Sequence, residues 1–415
     1  MSIKVKKYRI SKQDTSTHTI CCKKIPVRKI TPYKYNSPYM AHHSSLRVHE
    51  ATDYVAQEPK KLQSTAKKDN KDPQATSTVV MVEPAFFHMN FQTAGDNNYQ
   101  LKPDDMSVEE FQALVHSPSD VAYAQHPGLQ ERREAFDQET HAKASQEFAA
   151  MVALLRSKMI DVISIPDVLA HDTPDSIFPN NPLSTHNEGE GIMIKYPMRN
   201  DNRRPEKKLP IAQTLASLGF KVGQVIDFSG LEDSEHFNEG TGSMVLDRTN
   251  RITYASLSQR TTKQGVAAFA ETMEYKAITF SSVDRTHDNG SVYHANVVMS
   301  VGEKFAVICS EAITDETERN TVLASLRETG KDIIEITAEQ MNGFAGNILQ
   351  VRSTEGNPVI VMSETAHNIF TQDQLAKLGQ YGEVISVSIP TIEKFGGGSA
   401  RCMILEVHNP KETQH

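Results

Sequence analysis

From Asp161 onward the chain repeats one pattern: a short β-branched strand, a polar loop, and a second apolar stretch. DVISIPD leads to DSIFPNNP, QVIDFSG to EGTGSMVLD, KAITFSSVD to YHANVVMSVG, DIIEITAEQ to GFAGNILQV, and EVISVSIP to GGSARCMILEV. The second stretches open near residues 176, 243, 295, 346 and 402 and read as strands. Between units lie IAQTLASLGF, TKQGVAAFAETM, DETERNTVLASLRETG and TQDQLAKLGQ, whose apolar residues recur at helical spacing. Each unit therefore reads as strand, strand, helix with an extra strand on its edge, and five of them can close into a ring. The predicted fold class is α/β, a five-fold pseudo-symmetric propeller of mixed units.

Upstream of the repeat, TVVMVEPAFF from Thr78 reads as a strand and HMNFQTAGDNNYQ as a polar loop. A helical tract over about 107–158 is broken between His116 and Gly128 by prolines; its second half sets Phe148, Met151, Val152 and Leu155 on one face, the signature of a packing helix. Residues 1–75 show neither period and hold 16 Lys+Arg against 6 Asp+Glu, about +10, so the remainder carries about −18 of the net −8. Such a split marks a basic, disordered extension on a globular domain spanning 76–410. The partner of that extension is not readable from its composition.

Composition narrows the class further. No apolar run reaches the 18 or more residues of a membrane helix and no signal-peptide core opens the chain, so the expectation is a cytoplasmic protein without a membrane partner. Four cysteines, at 21, 22, 309 and 402, have neither disulfide nor zinc-site spacing, and the Cys21, Cys22, His18, His42 and His43 group lacks the loops zinc uses; no metal is expected. Cys309, inside FAVIC, reads as a core residue.

Repetition has a chemical consequence. Equivalent positions of pseudo-symmetric units face a common axis, and the openings of the second stretches hold Asp175, Glu239, His294, Gly346 with Asn347, and Cys402. A thiol beside an imidazole is a nucleophile with an acid/base partner, and two carboxylates in the same cavity suit a planar group rich in N–H donors. The glycines of GGGSARCM, Gly396 to Gly398, read as clearance for a flat substrate beside Cys402.

GGGSARCM resembles the nucleophile motif of the guanidino-group modifying enzymes, the pentein superfamily of arginine deiminases, dimethylarginine hydrolases and amidinotransferases. With MVEPAFFHMN, DSIFPNNPLSTH, EGTGSMVLDR and VYHANVVMSVG, the set more closely resembles the arginine-deiminase-related branch that contains citrulline-utilisation hydrolases, over about 78–408. The resemblance implies Cys402 as nucleophile, His294 as acid/base, Glu239 as the acidic partner of the histidine and substrate, and Asp175 as the carboxylate gripping the planar group. It nominates Arg260, in SLSQRT, for a substrate carboxylate.

Two departures bear on the substrate. Where deiminases carry an Asp two residues after the histidine, this chain has Asn296, a neutral amide that suits a ureido oxygen and so favours citrulline over arginine; Pro182 stands where the branch is expected to carry a tryptophan. The implied enzyme needs no cofactor and acts on a small molecule. An arginine deiminase or amidinotransferase, a non-catalytic binding propeller, and a homo-oligomer all stay open at this level.

Overall fold

The computed structural model describes residues 72–117, 119–286 and 290–412; the Cys21, Cys22, His18, His42 and His43 group, and nearly all of the basic extension, lie outside the described residues. Among the described residues the strands form five three-stranded sheets. In each, a central strand runs antiparallel to one neighbour and parallel to the other. Ile192–Lys195, for example, pairs antiparallel with Leu183–His186 and parallel with Gln224–Asp227. A parallel partner demands a crossover, and the amphipathic stretches supply it. Lys263–Thr272 links Ile252–Leu257 to Lys276–Ser281, and Glu316–Glu328 links Phe305–Ile308 to Asp332–Glu335. The fifth sheet joins both ends of the described residues: Leu405–Glu406 lies antiparallel to Thr78–Glu83, with Val79 opposite Glu406.

The sheets divide the sequence differently from the repeat reading. The two stretches paired there, such as DVISIPD and DSIFPNNP, belong to different sheets, and the strand taken as an edge addition is the centre of each sheet. Centre strands are covered on both faces, which makes them continuously apolar and hides period 2. Val79 through Val82, and Phe305 through Ile308, are all buried. The second stretches do not open as strands either. Glu239 precedes a helical turn, Gly240–Ser243, and His294 precedes another, Ala295–Val298; the strands begin only at Met244 and Met299. Asp175, Glu239, His294, Asn347 and Cys402 all sit in the connections from one sheet to the next.

The helical tract resolves into Val108–His116, Ser119–Gln125 and Leu129–Ser157. Phe148, Met151, Val152 and Leu155 are buried in one cluster with Val79, Met81 and Val162 of the strands that this helix connects. Truncating a residue such as Phe148 to alanine there costs about 3–5 kcal/mol. The stretch read as a polar loop holds a short helix, Phe91–Ala94, whose N-cap Asn90 accepts a hydrogen bond from the Gln92 N–H at 3.1 Å. Among the described residues no helix is long and apolar enough to cross a membrane.

The glycine run before Cys402 clears the protein itself rather than a substrate. Gly397 ends the helix Pro390–Gly396 in the left-handed region at φ +64°, and its N–H donates to the Glu393 carbonyl. A Cβ there would lie 2.4 Å from Asn97 Nδ2, and one on Gly396 would lie 2.8 Å from the Phe178 ring. Gly397→Ala therefore combines a backbone cost of about 1–2 kcal/mol with a steric one. Chemical denaturation should show a larger loss than Gly356→Ala, which has the same handedness at φ +87° but no atom within 4 Å of the added methyl.

Candidate active site

The inter-sheet connections bring the predicted residues into one buried group. His294 Nε2 lies 2.9 Å from Glu239 Oε2, and both residues are almost wholly enclosed. Burial opposes the charge on Glu239, but Arg260, the imidazole and Arg203 together hold its carboxyl down at about 2. Burial also lowers the basicity of His294 and outweighs its carboxylate partner. The pair is thus an ionised carboxylate accepting the Nε2–H of a neutral imidazole, which leaves Nδ1 as the ring's free lone pair. Gly242 makes room for that ring: a Cβ on it would sit 2.7 Å from His294 Nδ1.

Cys402 lies in a turn, its N–H donating to the Ser399 carbonyl at 2.9 Å. Two side-chain amides reach its sulfur, Asn347 Nδ2 at 3.2 Å and Asn296 Nδ2 at 3.4 Å. Sequence reasoning expected Asn296 to face the substrate; its amide nitrogen lies beside the sulfur of Cys402. Asn347 is a site residue the motifs did not single out. The signal was its place at the fourth repeat position, where Gly346 allows the turn to seat: a Cβ there would be 2.1 Å from the Val297 carbonyl oxygen.

The carboxylates are already occupied by the protein's own guanidinium groups. Arg203, missed in the sequence, is buried with Nε 3.5 Å from Asp175 and NH1 3.5 Å from Glu239; it makes two bonds to Glu206 at 2.9 and 3.0 Å and two to Asn181. Burial pushes Glu206 up to about 8 against the pull of Arg203, helped by the nearby Asp175 and Glu239. Asp175 Oδ2 accepts from Asn90 Nδ2 at 2.8 Å, whereas Oδ1 is buried without a protein partner.

Arg260, nominated for a substrate carboxylate, is engaged by the protein's own groups. Its Nε and NH2 are bound to Asp96, NH2 also donates to the Thr93 carbonyl, NH1 lies 3.7 Å from Glu239, and the guanidinium covers the Tyr293 ring at 5.0 Å. It anchors the 90–101 segment, which also reaches Asp175 through Asn90 and the Gly397 carbonyl through Asn97. Arg199, bound to Asp96 and Gln259, is the arginine at this cluster that reaches solvent, its side chain 32% exposed.

The model of the eukaryotic N,N-dimethylarginine dimethylhydrolase family matches residues 119–409, more than two thirds of the sequence. The chain belongs to this family. It is thereby a member of the pentein guanidino-modifying enzymes, which act on carbon–nitrogen bonds. No curated protein matches it in sequence. The fold is similar to that of ArgZ, an arginine dihydrolase of the ornithine–ammonia cycle in cyanobacteria, with TM-score 0.55 and 15% identity over 81% of this chain. The present protein spans 41% of that ArgZ chain and 98% of its separately solved N-terminal domain, which matches with TM-score 0.55 and 15% identity over 80% of this chain. AgrE in its L-arginine complex matches with TM-score 0.55 and 16% identity, over 81% of this chain and 40% of that one.

Two further groups in this member of the dimethylhydrolase family have ligand or nucleophile chemistry that their surroundings neutralise. Asp72, His186 and Glu188 come within 4.8 Å of one another. Arg248 lies 3.5 Å from Asp72 and Arg251 2.7 Å from Glu188, so arginines already supply the positive charge. Cys309 is fully buried in the core, and burial pushes its thiol up to about 12, which leaves it un-ionised.

The His294–Glu239 pair gives the fold a pH signature. The unfolded protein binds a proton at its histidine near pH 6.5 and at Glu239 near 4.5, while the folded state holds both below those values. The contribution of His294 is thus complete above pH 6.5 and declines as the pH falls below it; that of Glu239 declines between 4.5 and about 2. Denaturation midpoints should fall on acidification from pH 6.5, and the fall between 6.5 and 5 should be shallower in His294→Asn, by up to about 1.4 kcal/mol per pH unit.

Proposed function

We propose that this protein is a cysteine-dependent hydrolase that cleaves the bond between the ureido carbon and the side-chain nitrogen of citrulline. Residues 76–410 form its catalytic domain, a five-bladed propeller whose inter-sheet connections meet at the axis, and residues 1–75 are an extension to it. The observation that carries the substrate choice is the pairing of Asp175 and Glu239 with Arg203 and Arg260. Carboxylates already paired with the protein's own guanidinium groups, with an unpartnered acceptor at Asp175 Oδ1, suit a neutral planar ureido group better than a guanidinium.

In this mechanism the Cys402 sulfur attacks the ureido carbon, and the bond from that carbon to the side-chain nitrogen breaks. The nitrogen takes its proton from His294, which has received the Cys402 thiol proton as the sulfur attacks, and leaves as the amine of ornithine. The same imidazole then removes a proton from water, which adds to the S-carbamoyl group and returns the thiol. The released carbamate decomposes to ammonia and CO2. Glu239 keeps the imidazole in the tautomer that can do this and stabilises the charged ring in between. Arg199, at the exposed edge, is the arginine for a substrate carboxylate.

A second reading rests on the family match: hydrolysis of a methylated guanidino group, with a methylamine leaving and citrulline as product. Purified protein supplied separately with citrulline, arginine and dimethylarginine separates the two. Ornithine from citrulline is the expected outcome; citrulline formed from dimethylarginine with no ornithine from citrulline transfers the function to the second reading. Cys402→Ala should abolish turnover, and His294→Ala should lower kcat by ~10²–10⁴.

A further inference from the structure

The five sheets share no backbone ladder with one another, so the spacing between neighbouring catalytic turns has to be set by other bonds. Glu239 and His294 stand at equivalent points. Each precedes a helical turn that feeds a short edge strand, Met244–Asp247 in one sheet and Met299–Val301 in the next. Both strands pair within their own sheet on one side only, which leaves backbone groups on the other edge to find partners. One side chain supplies them. Gln74 Nε2 donates to the carbonyl of Leu246 and to that of Val301, both at 2.9 Å, and its Oε1 accepts the Arg248 N–H at 2.8 Å. Leu246 is seven residues beyond Glu239, and Val301 seven beyond His294.

Three partners leave the amide a single orientation. Turned over, it would set its oxygen against two carbonyls and its NH2 against an N–H. Gln74 is buried, and the segment around it is itself tied down. Asp72 accepts the Asn187 N–H at 2.9 Å, and Thr76 Oγ1 donates to the Val407 carbonyl at 2.6 Å. The Thr76 carbonyl accepts from the Arg352 N–H and the Ser77 carbonyl from that of Asp161, both at 2.9 Å. With Leu246 and Val301, these bonds reach a strand, or the residue next to one, in all five sheets. Gln74, Thr241 from the turn after Glu239, and Asn296 from the turn after His294 line one small cavity of about 30 Å³, so the segment stands directly behind both turns.

We infer that Gln74 is a positioning residue for the His294–Glu239 pair: it clamps together the two strands that carry them and so fixes the 2.9 Å contact that sets the imidazole tautomer. The inference rests on that pair being the acid/base device of the proposed hydrolase. Gln74 touches no reacting atom and acts through the two strands. Hydrogen bonds weaken steeply when misaligned, and a displacement of about 1 Å at a catalytic group costs on the order of 10²-fold in rate. Slack between the two sheets is therefore felt at the ring. Gln74 lies ahead of the 119–409 family match, so a segment outside the matched region holds the pair in register.

The experiment uses the full-length protein without substrate. Gln74→Met keeps the length of the side chain and removes its three hydrogen bonds, whereas Thr76→Val removes the bond to Val407 from the same segment and leaves the clamp in place. With isotope-labelled histidine, the ring nitrogens of His294 are assigned in the NMR spectrum by their loss in His294→Asn. They should report a single Nε2–H tautomer in wild type and in Thr76→Val. In Gln74→Met the two nitrogen shifts should move towards each other as the other tautomer becomes populated. Circular dichroism verifies folding. Unmoved shifts in folded Gln74→Met overturn the clamp, as does an equal movement in Thr76→Val, which would mark general loosening. On whichever substrate the protein turns over, Gln74→Met should lower kcat about 10–10²-fold with KM little changed, and a rise in KM alone counts against the clamp. Should Gln74→Met not fold, amide exchange of the wild type decides: protection of the Arg248 N–H equal to that of the central strand Ile252–Leu257 supports the clamp, and faster exchange overturns it. The tautomer is read without substrate, so failure of citrulline to yield ornithine would leave the clamp standing.

Discussion

A fully enclosed carboxylate is the constraint on which the site depends. Glu239 has no solvent to stabilise its charge, and an ion of that size left uncompensated inside a protein costs several kcal/mol. Compensation comes from three separate segments: Arg203 beyond the first inter-sheet connection, Arg260 after the next central strand, and the imidazole of His294 from the connection after that. Each of these is buried in turn, so each requires its own partners. Arg203 draws in Asp175, Glu206 and Asn181; Arg260 draws in Asp96 and the carbonyl of Thr93. One buried charge therefore ties the 90–101 segment and several connections into a single electrostatic unit, and a loose segment anywhere in it would strand a charge.

The sheets make this unit possible. Each connection leaves the parallel edge strand of one sheet and arrives, through a tight turn, at the antiparallel edge strand of the next. The turn, not the strand, presents the functional side chain. That turn aims two nearby residues at neighbouring points: His294 at Glu239, and Asn296 at Cys402. Glycines are placed where such turns press on their neighbours, as Gly242 does on the His294 ring and Gly346 on the Val297 carbonyl.

Much of the site was legible because chemistry-bearing residues recur at repeat positions; Asp175, Glu239, His294 and Cys402 stand out for that reason. Arg203 did not, since NRRPEKK reads as a solvated basic run, and nothing in its spacing shows that Asp175, Glu206 and Glu239 surround one of its guanidinium groups. Arg260 was noticed, but the motif around it does not show that Asp96, 164 residues away, is bound to it. The centre strands went astray for a different reason. Double-sided burial removes the alternation that marks a strand, so all but the first of them, TVVMV, were read only as an extra strand on a unit's edge.

By itself, the sequence determined the α/β class, the recurrence of a strand and a chemically loaded turn, the helix over 129–157 and the candidate nucleophile with its histidine. These are set by local periodicity and residue type, which act over a few residues. Only the tertiary structure decided which strands share a sheet, that the glycines before Cys402 clear Phe178 and Asn97, and that the carboxylates are already balanced by arginines. Those outcomes depend on where distant charges and surfaces meet after burial. Compensation of a buried ion acts across space and leaves no period along the sequence.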